Sequence, residues 1–343
     1  MKKLLNTLFV STQGAYLSKE GLSVLVNIEG ETRLRLPIHT ICGIACFGNV
    51  GVSPYLLDLC AKNNVHVSLF SIYGRFLARI QGPVSGNVLL RRAQYRRADN
   101  ENESSKVAYS VLIGKIANSK MVLQRALRDH SEKMDMNAVR ASVRELAHIV
   151  RRLDKSKEVD FLRGLEGDAA RIYFGEFNNL ITNKESGFIF KERSRRPPLD
   201  PVNALLSFLY TLLVHDVCSA LEGVGLDPAV GFLHKDRPGR PSLALDLMEE
   251  FRPGLADRVA LSLINRKQIR IGGFAVSKNG SVLMDESTRK SVIVAWQKRK
   301  QEEVIHPFLN KKMPFGLVIH TQARLLAKHI RGELDGYPPF CFK

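Results

Sequence analysis

The chain has 343 residues, 45% of them hydrophobic, enough for two domains with cores of their own and too apolar for wholesale disorder. Lys and Arg number 51 against 34 Asp and Glu, a formal charge of +17, which points to a polyanionic partner, nucleic acid first. Five cysteines (Cys42, Cys46, Cys60, Cys218, Cys341) make an odd count with no C-x2-C ligand pair, as expected of a reducing, cytoplasmic address rather than a disulfide framework.

From the start of the chain, Met1–Leu5 is followed by Asn6 and Thr7, and the apolar run ends at Ser11, too short for a secretory leader. No stretch reads as the roughly 20 apolar residues of a membrane span, so no membrane partner is expected. Residues 1–90 read as strands. Residues 16–26 hold two β-rich runs around Gly21, Glu31–Leu36 and Val65–Phe70 alternate polar with apolar, and Tyr73-Gly74-Arg75-Phe76 reads as a hairpin turn. Between them Pro54–Lys62 reads as one helix. Asp99–Ser105, polar and small, reads as linker. Beyond it, apolar residues recur at three- and four-residue steps over 107–128, 136–153, 160–180, 201–222, 242–251, 254–265, 286–304 and 317–334, the period of helices. The expected fold is α+β: a small β-sandwich-like N-terminal domain (1–95), a linker (96–105), and a larger all-α-helical domain (106–343) with a basic tail. There is no internal repeat and no low-complexity segment.

Positive charge is clustered. Residues 264–300 carry Arg266, Lys267, Arg270, Lys278, Arg289, Lys290, Lys298, Arg299 and Lys300 against Asp285 and Glu286. Together with Arg252, and leaving Lys278 aside, these are the expected DNA-binding residues. A second group, Arg91, Arg92, Arg96 and Arg97, lies just before the polar stretch.

The densest chemistry lies in 228–253. At 100° per residue, Ser242, Asp246, Glu249 and Glu250 fall on about a third of one helix, opposite Leu243, Leu247 and Phe251. Like charges at these spacings repel unless a cation covers them. His234 precedes the helix, and Glu166, bracketed by Gly164, Gly167, Ala169 and Ala170, is the best further carboxylate. The small residues around it would let another helix or a DNA backbone approach. Carboxylates with one imidazole suit a hard divalent metal doing phosphodiester chemistry. Spacing alone leaves open a solvated acidic face, or carboxylates paired to Arg237, Arg240 or Arg252. No G-x-S-x-G elbow, P-loop, H-E-x-x-H or dinucleotide fingerprint is present.

Four ordered blocks carry a family resemblance: Gly164-Leu165-Glu166-Gly167 with Ala170 and Tyr173; Arg195 to Tyr210, through Pro197, Pro198 and Asn203; Pro228-Ala229-Val230-Gly231-Phe232-Leu233-His234; and Ser242 to Glu249. Together they resemble the signature of the CRISPR-associated adaptation endonucleases and integrases, the universal "Cas one" family, here expected from a type I system. The resemblance implies an N-terminal domain that dimerises and a helical domain holding Mg2+ or Mn2+ on Glu166, His234 and Glu249. It places Asp246 as a further acidic catalytic position and Asn203, Tyr210 and Arg252 near the site. Glu249 stands where many relatives carry Asp. The implied activity is metal-dependent cleavage and integration, with the 3′-hydroxyls of short foreign DNA attacking phosphodiesters of a CRISPR array. The implied partners are double-stranded DNA (prespacer and repeat), a second copy of the chain, a small companion subunit bridging two dimers, and an additional exonuclease. A branched-DNA repair nuclease and a non-catalytic nucleic-acid scaffold are the alternatives.

Overall fold

A computed structural model of the protein describes residues 6–82, 87–130, 132, 134–153, 158–183 and 187–342; the leader reading of Met1–Leu5 lies outside them. The chain divides into two compact units, one of Met1–Gly86 with Met284–Val294, the other of Asn87–Leu283 with Ala295–Lys343.

The first unit is built on two four-stranded sheets. One has the order β1 (Thr7–Val10), β5 (Gly43–Phe47), β7 (His66–Phe70), β8 (Phe76–Ile80); the other runs β4 (Glu31–Pro37), β3 (Ser23–Ile28), β2 (Tyr16–Glu20), β6 (Gly51–Val52). β1, β5 and β7 are parallel, and α1 (Pro54–Lys62) lies on the crossover that parallel pairing of β5 and β7 requires. Ser53 caps α1, accepting the Leu56 amide at 3.2 Å, with Pro54 in the first turn where its missing N–H costs nothing. Leu17, Val24, Ile44, Val67 and Leu56 share one core drawn from both sheets and α1. The expected turn at Gly21 is present with φ +56°, and Ser71 to Arg75 close the β7–β8 turn.

The second unit is mostly helical. α3 (Glu101–His130) packs on α4 (Met136–Leu153) and α5 (Val159–Gly175), while α6 (Pro201–Val224) packs on α7 (Ser242–Met248), α8 (Arg258–Asn265) and α10 (Phe315–Ile330). α2 (Val88–Ala98) ends only three residues before α3, so the stretch read as linker is helical. Its polar residues cap: Asn100 Oδ1 accepts the Glu103 amide at 3.1 Å, Glu101 and Glu103 sit in the first turn, and Ser104 and Ser105 donate to backbone carbonyls. α9 (Glu286–Gln301) is shorter than expected. Two small antiparallel ribbons, β9 (Phe274–Val276) with β10 (Val282–Met284) and β11 (Glu303–His306) with β12 (Lys311–Pro314), are added to the helices.

One helix departs from the membrane reading. α6 is long and apolar enough to cross a bilayer by length and composition, with a mean hydropathy of 1.7 over its most apolar stretch. Its Leu205, Leu206, Leu209, Leu212 and Leu213 are instead buried in protein, as in a helix apolar nearly all round at the centre of a domain. Asp200 caps its start, accepting the Asn203 amide at 2.8 Å, and Gly225 ends it with φ +88°. Asp200→Ala is expected to lower unfolding stability by about 0.5–2 kcal/mol in urea titration, and Asp200→Ser to recover most of it. An unchanged midpoint in the Ala variant would show that the cap carries no weight.

Candidate active site

Two consecutive helices build the acidic part of the site because the chain cannot run straight through it. Pro253 has no amide proton, and its ring would crowd the carbonyl four residues back. α7 accordingly stops at Met248, Glu249–Phe251 form a turn, and Arg252–Asp257 wind as a single wide π-turn before α8. Glu249 and Glu250, adjacent in the chain and still in helical backbone, leave it about 100° apart on different faces. Glu249 turns toward the side chains of the cleft wall and Glu250 does not.

Asp246, fully buried on α7, organises the loop that carries His234. Its Oδ2 accepts the amides of Phe232 (2.6 Å) and Leu233 (3.0 Å), and its Oδ1 accepts the His234 amide (2.9 Å) and lies 2.7 Å from His234 Nδ1. A carboxylate facing Nδ1 calls for a proton there and leaves Nε2 as the working nitrogen. Gly231 is required for the wrap, since a Cβ there would lie 2.9 Å from both Asp246 Oδ2 and the Ser242 backbone. Arg163 of α5 donates from Nε to the Leu233 carbonyl at 2.5 Å, and Gln94 of α2 braces Asp227 and Val230 through their carbonyls. Asp246, expected to line the site, therefore positions the histidine.

Glu166 on α5 and Glu249 meet across one cation. Lys115 Nζ, from the middle of α3, lies 2.5 Å from Glu166 Oε1 and 2.8 Å from Glu249 Oε2, while Arg252 Nη1 lies 2.8 Å from Glu249 Oε1. Both Glu249 oxygens are buried and make no well-angled hydrogen bond; their contacts are ionic. Burial acts to raise the Glu166 pKa, but Lys115, with His234 and Arg252 behind it, outweighs burial and brings it down to about 2. The same carboxylates hold Lys115 charged against the opposing effect of burial. Among the described residues, no three His, Cys, Asp or Glu side chains converge closely enough to hold a metal ion. Glu166 and His234 line one cleft, and Glu249 lies beneath its wall, paired to two residues that line it; the three do not form a closed ligand set.

Glu250 turns away into the core. It accepts from Tyr337 Oη (2.6 Å), Gln322 Nε2 (2.9 Å) and the Phe340 amide (2.8 Å), and burial outweighs these bonds to push its pKa up to about 8. Asn118 closes the same seam, donating to the carbonyls of Glu250 (2.7 Å) and Phe340 (2.8 Å) and accepting the Phe342 amide. The last residues of the chain thus strap the acidic turn to α3.

The cleft, about 600 Å³, is lined by Glu166, His234 and Lys115 and rimmed by Arg171, Lys191, Arg193, Arg195, Arg240 and Arg252. Burial, with Arg237 and other nearby arginines, depresses the Arg240 pKa, the mark of a rim crowded with positive charge. Tyr210 on α6 donates to Asp257 at 2.7 Å, Tyr173 on α5 donates to the same carboxylate at 3.0 Å, and Arg193 and Arg252 lie over the Tyr210 ring at 5.3 and 4.9 Å. Asn203 is buried beneath, accepting from the Ser194 amide and Arg193 and so fixing the irregular segment that carries Arg193. Among the described residues, no atom beyond α5's own nearby backbone lies within 4 Å of a Cβ built on Gly164 or Gly167, so no described helix packs on them.

The basic tail sorts differently from its expected role. Arg266, Lys267, Arg270, Lys290 and Lys298 are exposed or half-exposed. Arg289 and Lys300 are buried, at 2% and 3%, and Lys300 pairs with Asp216 at 2.8 Å. Arg299 is held inward by Glu302, the Gly254 carbonyl and the Phe315 ring. Arg252 is committed to Glu249. These four side chains are turned toward the protein's own residues, unlike the five that face solvent.

Residues 8–298 match the model of the family described as CRISPR associated protein Cas1. A "CRISPR-associated endonuclease Cas1 1" of Chlorobaculum tepidum is 54% identical over 343 residues, covering all of both chains. The chain belongs to the Cas1 family. Among solved structures, the fold is shared with a casposase bound to integration product (TM-score 0.84, 24% identity, 100% of this chain and 95% of that one) and with a Cas6-RT-Cas1–Cas2 complex (TM-score 0.82, 20% identity, 99% of this chain and 36% of that one).

Two residues of the site in this Cas1 chain, Lys115 and Asp257, stand outside the motifs of its sequence. Lys115 has a visible signal: on a helical wheel it sits at the centre of the stripe formed by Ala108, Val111, Leu112, Ser119 and Val122, all buried, where a lysine needs a partner. Asp257 has none, because the π-turn that aims it at Tyr210 cannot be read from an α period.

Burial pushes Asp257 up to about 6 against the pull of the two tyrosine hydroxyls, from an ordinary 3.8. Across that window the folded chain keeps a proton that the unfolded chain has released, so stability falls as pH rises. Asp257→Asn stays neutral throughout. Its Tm relative to the native chain is expected to climb from about pH 4 to about pH 6 and then level off; a difference that does not vary with pH would count against the buried, proton-holding carboxyl.

Proposed function

We propose that this protein is a metal-dependent DNA endonuclease and integrase of CRISPR adaptation, joining the 3′-hydroxyls of short foreign DNA to phosphodiesters of the CRISPR array. The observation that carries the reading is the histidine held by Asp246 on a cleft that Glu166 also lines, with Glu249 one lysine away, in a chain of the Cas1 family. The donors suit a hard divalent ion: two carboxylates already drawn to a cation, Glu249 oxygens without well-angled hydrogen bonds, and an imidazole with its outer nitrogen left over. Glu166, His234 and Glu249 would hold Mg2+ or Mn2+, which when bound supplies Lewis-acid polarisation of a phosphodiester.

The remaining work falls to the chain's own residues. Asp246 keeps the proton on Nδ1 and the ring in place. Arg171, Lys191, Arg195 and Arg240 draw the phosphate backbone over the cleft and hold it without reading sequence. The Tyr210–Asp257–Tyr173 bridge fixes α5, α6 and the π-turn, so that Glu166 and Arg252 keep their spacing. For assembly, the reading takes a homodimer bridged to a second by a small companion subunit, with an exonuclease joining the complex; the Cas6-RT-Cas1–Cas2 structure of shared fold supports the companion.

Glu166→Gln, His234→Ala and Glu249→Gln are each expected to abolish Mn2+-dependent strand joining into supercoiled plasmid with the circular dichroism spectrum retained. Asp246→Asn is expected to weaken metal affinity about 10–100-fold. Undiminished joining by any two of the first three variants overturns the assignment, and plasmid nicking without joining would favour a repair nuclease. Neutralising Arg266, Lys267 and Arg270 together should flatten the dependence of log K for DNA on log salt by about 0.9 for each phosphate no longer neutralised. Lys300→Ala should lower Tm and leave that slope alone; an equal change of slope in both would place the DNA path elsewhere.

A further inference from the structure

We propose that Lys115 is a resident counter-ion that a divalent cation must displace, so that one side chain both holds the two carboxylates together and sets the threshold for loading the site. The inference rests on the metal reading above and deepens it. Glu166 and Glu249 come from separate elements, and their like charges repel in a largely buried site. Lys115 Nζ sits between them at 2.5 and 2.8 Å, on a side chain only 10% exposed. Its position on α3 is as central to the buried stripe as Ala108 or Ser119, so the lysine is carried there by the fold and does not arrive from the surface.

The two cations at the site differ in freedom. Arg252 is fixed from two sides, by Glu249 and by the Tyr210 ring. Lys115 ends in a compact charge on a flexible four-carbon stem and lines the open cleft, so it can withdraw while remaining charged. A dication and an ammonium in the gap between the same two oxygens repel each other strongly, which favours exchange over shared occupancy. Ion-for-ion exchange follows: the ammonium leaves, the dication enters, and the positive charge between the two carboxylates rises by one. Metal affinity is then the difference between two pairings and weaker than the donors alone would give.

The test measures Mn2+ binding to the full chain without DNA, by calorimetry and by electron paramagnetic resonance of the free ion, with melts in EDTA and in saturating Mn2+. Lys115→Met and Lys115→Gln are expected to melt lower than the native chain in EDTA. They should bind Mn2+ at least about tenfold more tightly, because no bound cation has to be expelled, and gain more in Tm when it is added. Lys115→Gln keeps a polar group between the carboxylates and serves where the Met variant fails to fold. Mn2+ affinity that is unchanged or weaker in a folded Lys115 variant overturns the counter-ion role, and a purely structural lysine would lower both melts equally. If instead Glu166→Gln and Glu249→Gln leave Mn2+ binding to the native chain's level, the metal reading itself fails, and the two failures are distinct.

Discussion

Two carboxylates forced to face each other are the constraint around which this helical unit is organised. Glu166 and Glu249 repel, and Glu249 is shut off from water altogether. The fold answers with cations from two directions, Lys115 from α3 and Arg252 from the π-turn. Removing one partner of such a cluster leaves charge buried without compensation, which costs far more than the cluster adds over an apolar core. The arrangement is therefore a poor stabiliser: charged oxygens are held near one another at a cost met by the surrounding helices.

The four acids between Asp246 and Asp257 do four different jobs because of the backbone that joins them. Asp246 spends its oxygens on the amides of Phe232, Leu233 and His234 and on the histidine ring. Glu249 meets Lys115 and Arg252 at the cleft wall. Glu250 ties the turn to Tyr337 and Phe340, and Asp257 ties the π-turn to Tyr173 and Tyr210. Glu249 and Glu250 diverge because adjacent residues leave a helical backbone on different faces, and the π-turn that begins at Arg252 carries Asp257 to the two tyrosines.

Much of this is legible in the sequence, and the residues show why the rest is not. Pro54–Lys62 and Met136–Leu153 are read to the residue because a proline or a strong apolar period marks their limits. Glu166, His234 and Glu249 follow from residue type and family pattern, and the fold brings all three to one cleft or its wall. Three readings depart from the structure. The polar run 99–105 carries the same letters whether it is a linker or a helix cap, and only the distance to the preceding helix decides. The stripe of Asp246, Glu249 and Glu250 assumes one α period running into Pro253, where the winding changes. The burial of Arg289 and Lys300 is a third case of the same limit: net charge records how many cations there are, and pairing with residues such as Asp216 decides which of them face outward.

That sorting gives the strong basicity of the chain a physical division. Lys115, Arg252, Lys300 and Arg299 are internal, each facing a carboxylate, and screened little by salt because they are out of water. Arg171, Arg195 and Arg240 rim the cleft, where neighbouring arginines and burial disfavour the charged form of Arg240, and an incoming polyanion relieves that repulsion. Arg266, Lys267, Arg270, Lys290 and Lys298 stand toward solvent, where each contributes to long-range attraction and little to structure. Burial thus decides what each cation can meet: the first group meets the chain's own carboxylates, the second the cleft, and the third solvent and whatever charge lies at long range, so the same residue type takes three physical roles because its surroundings differ.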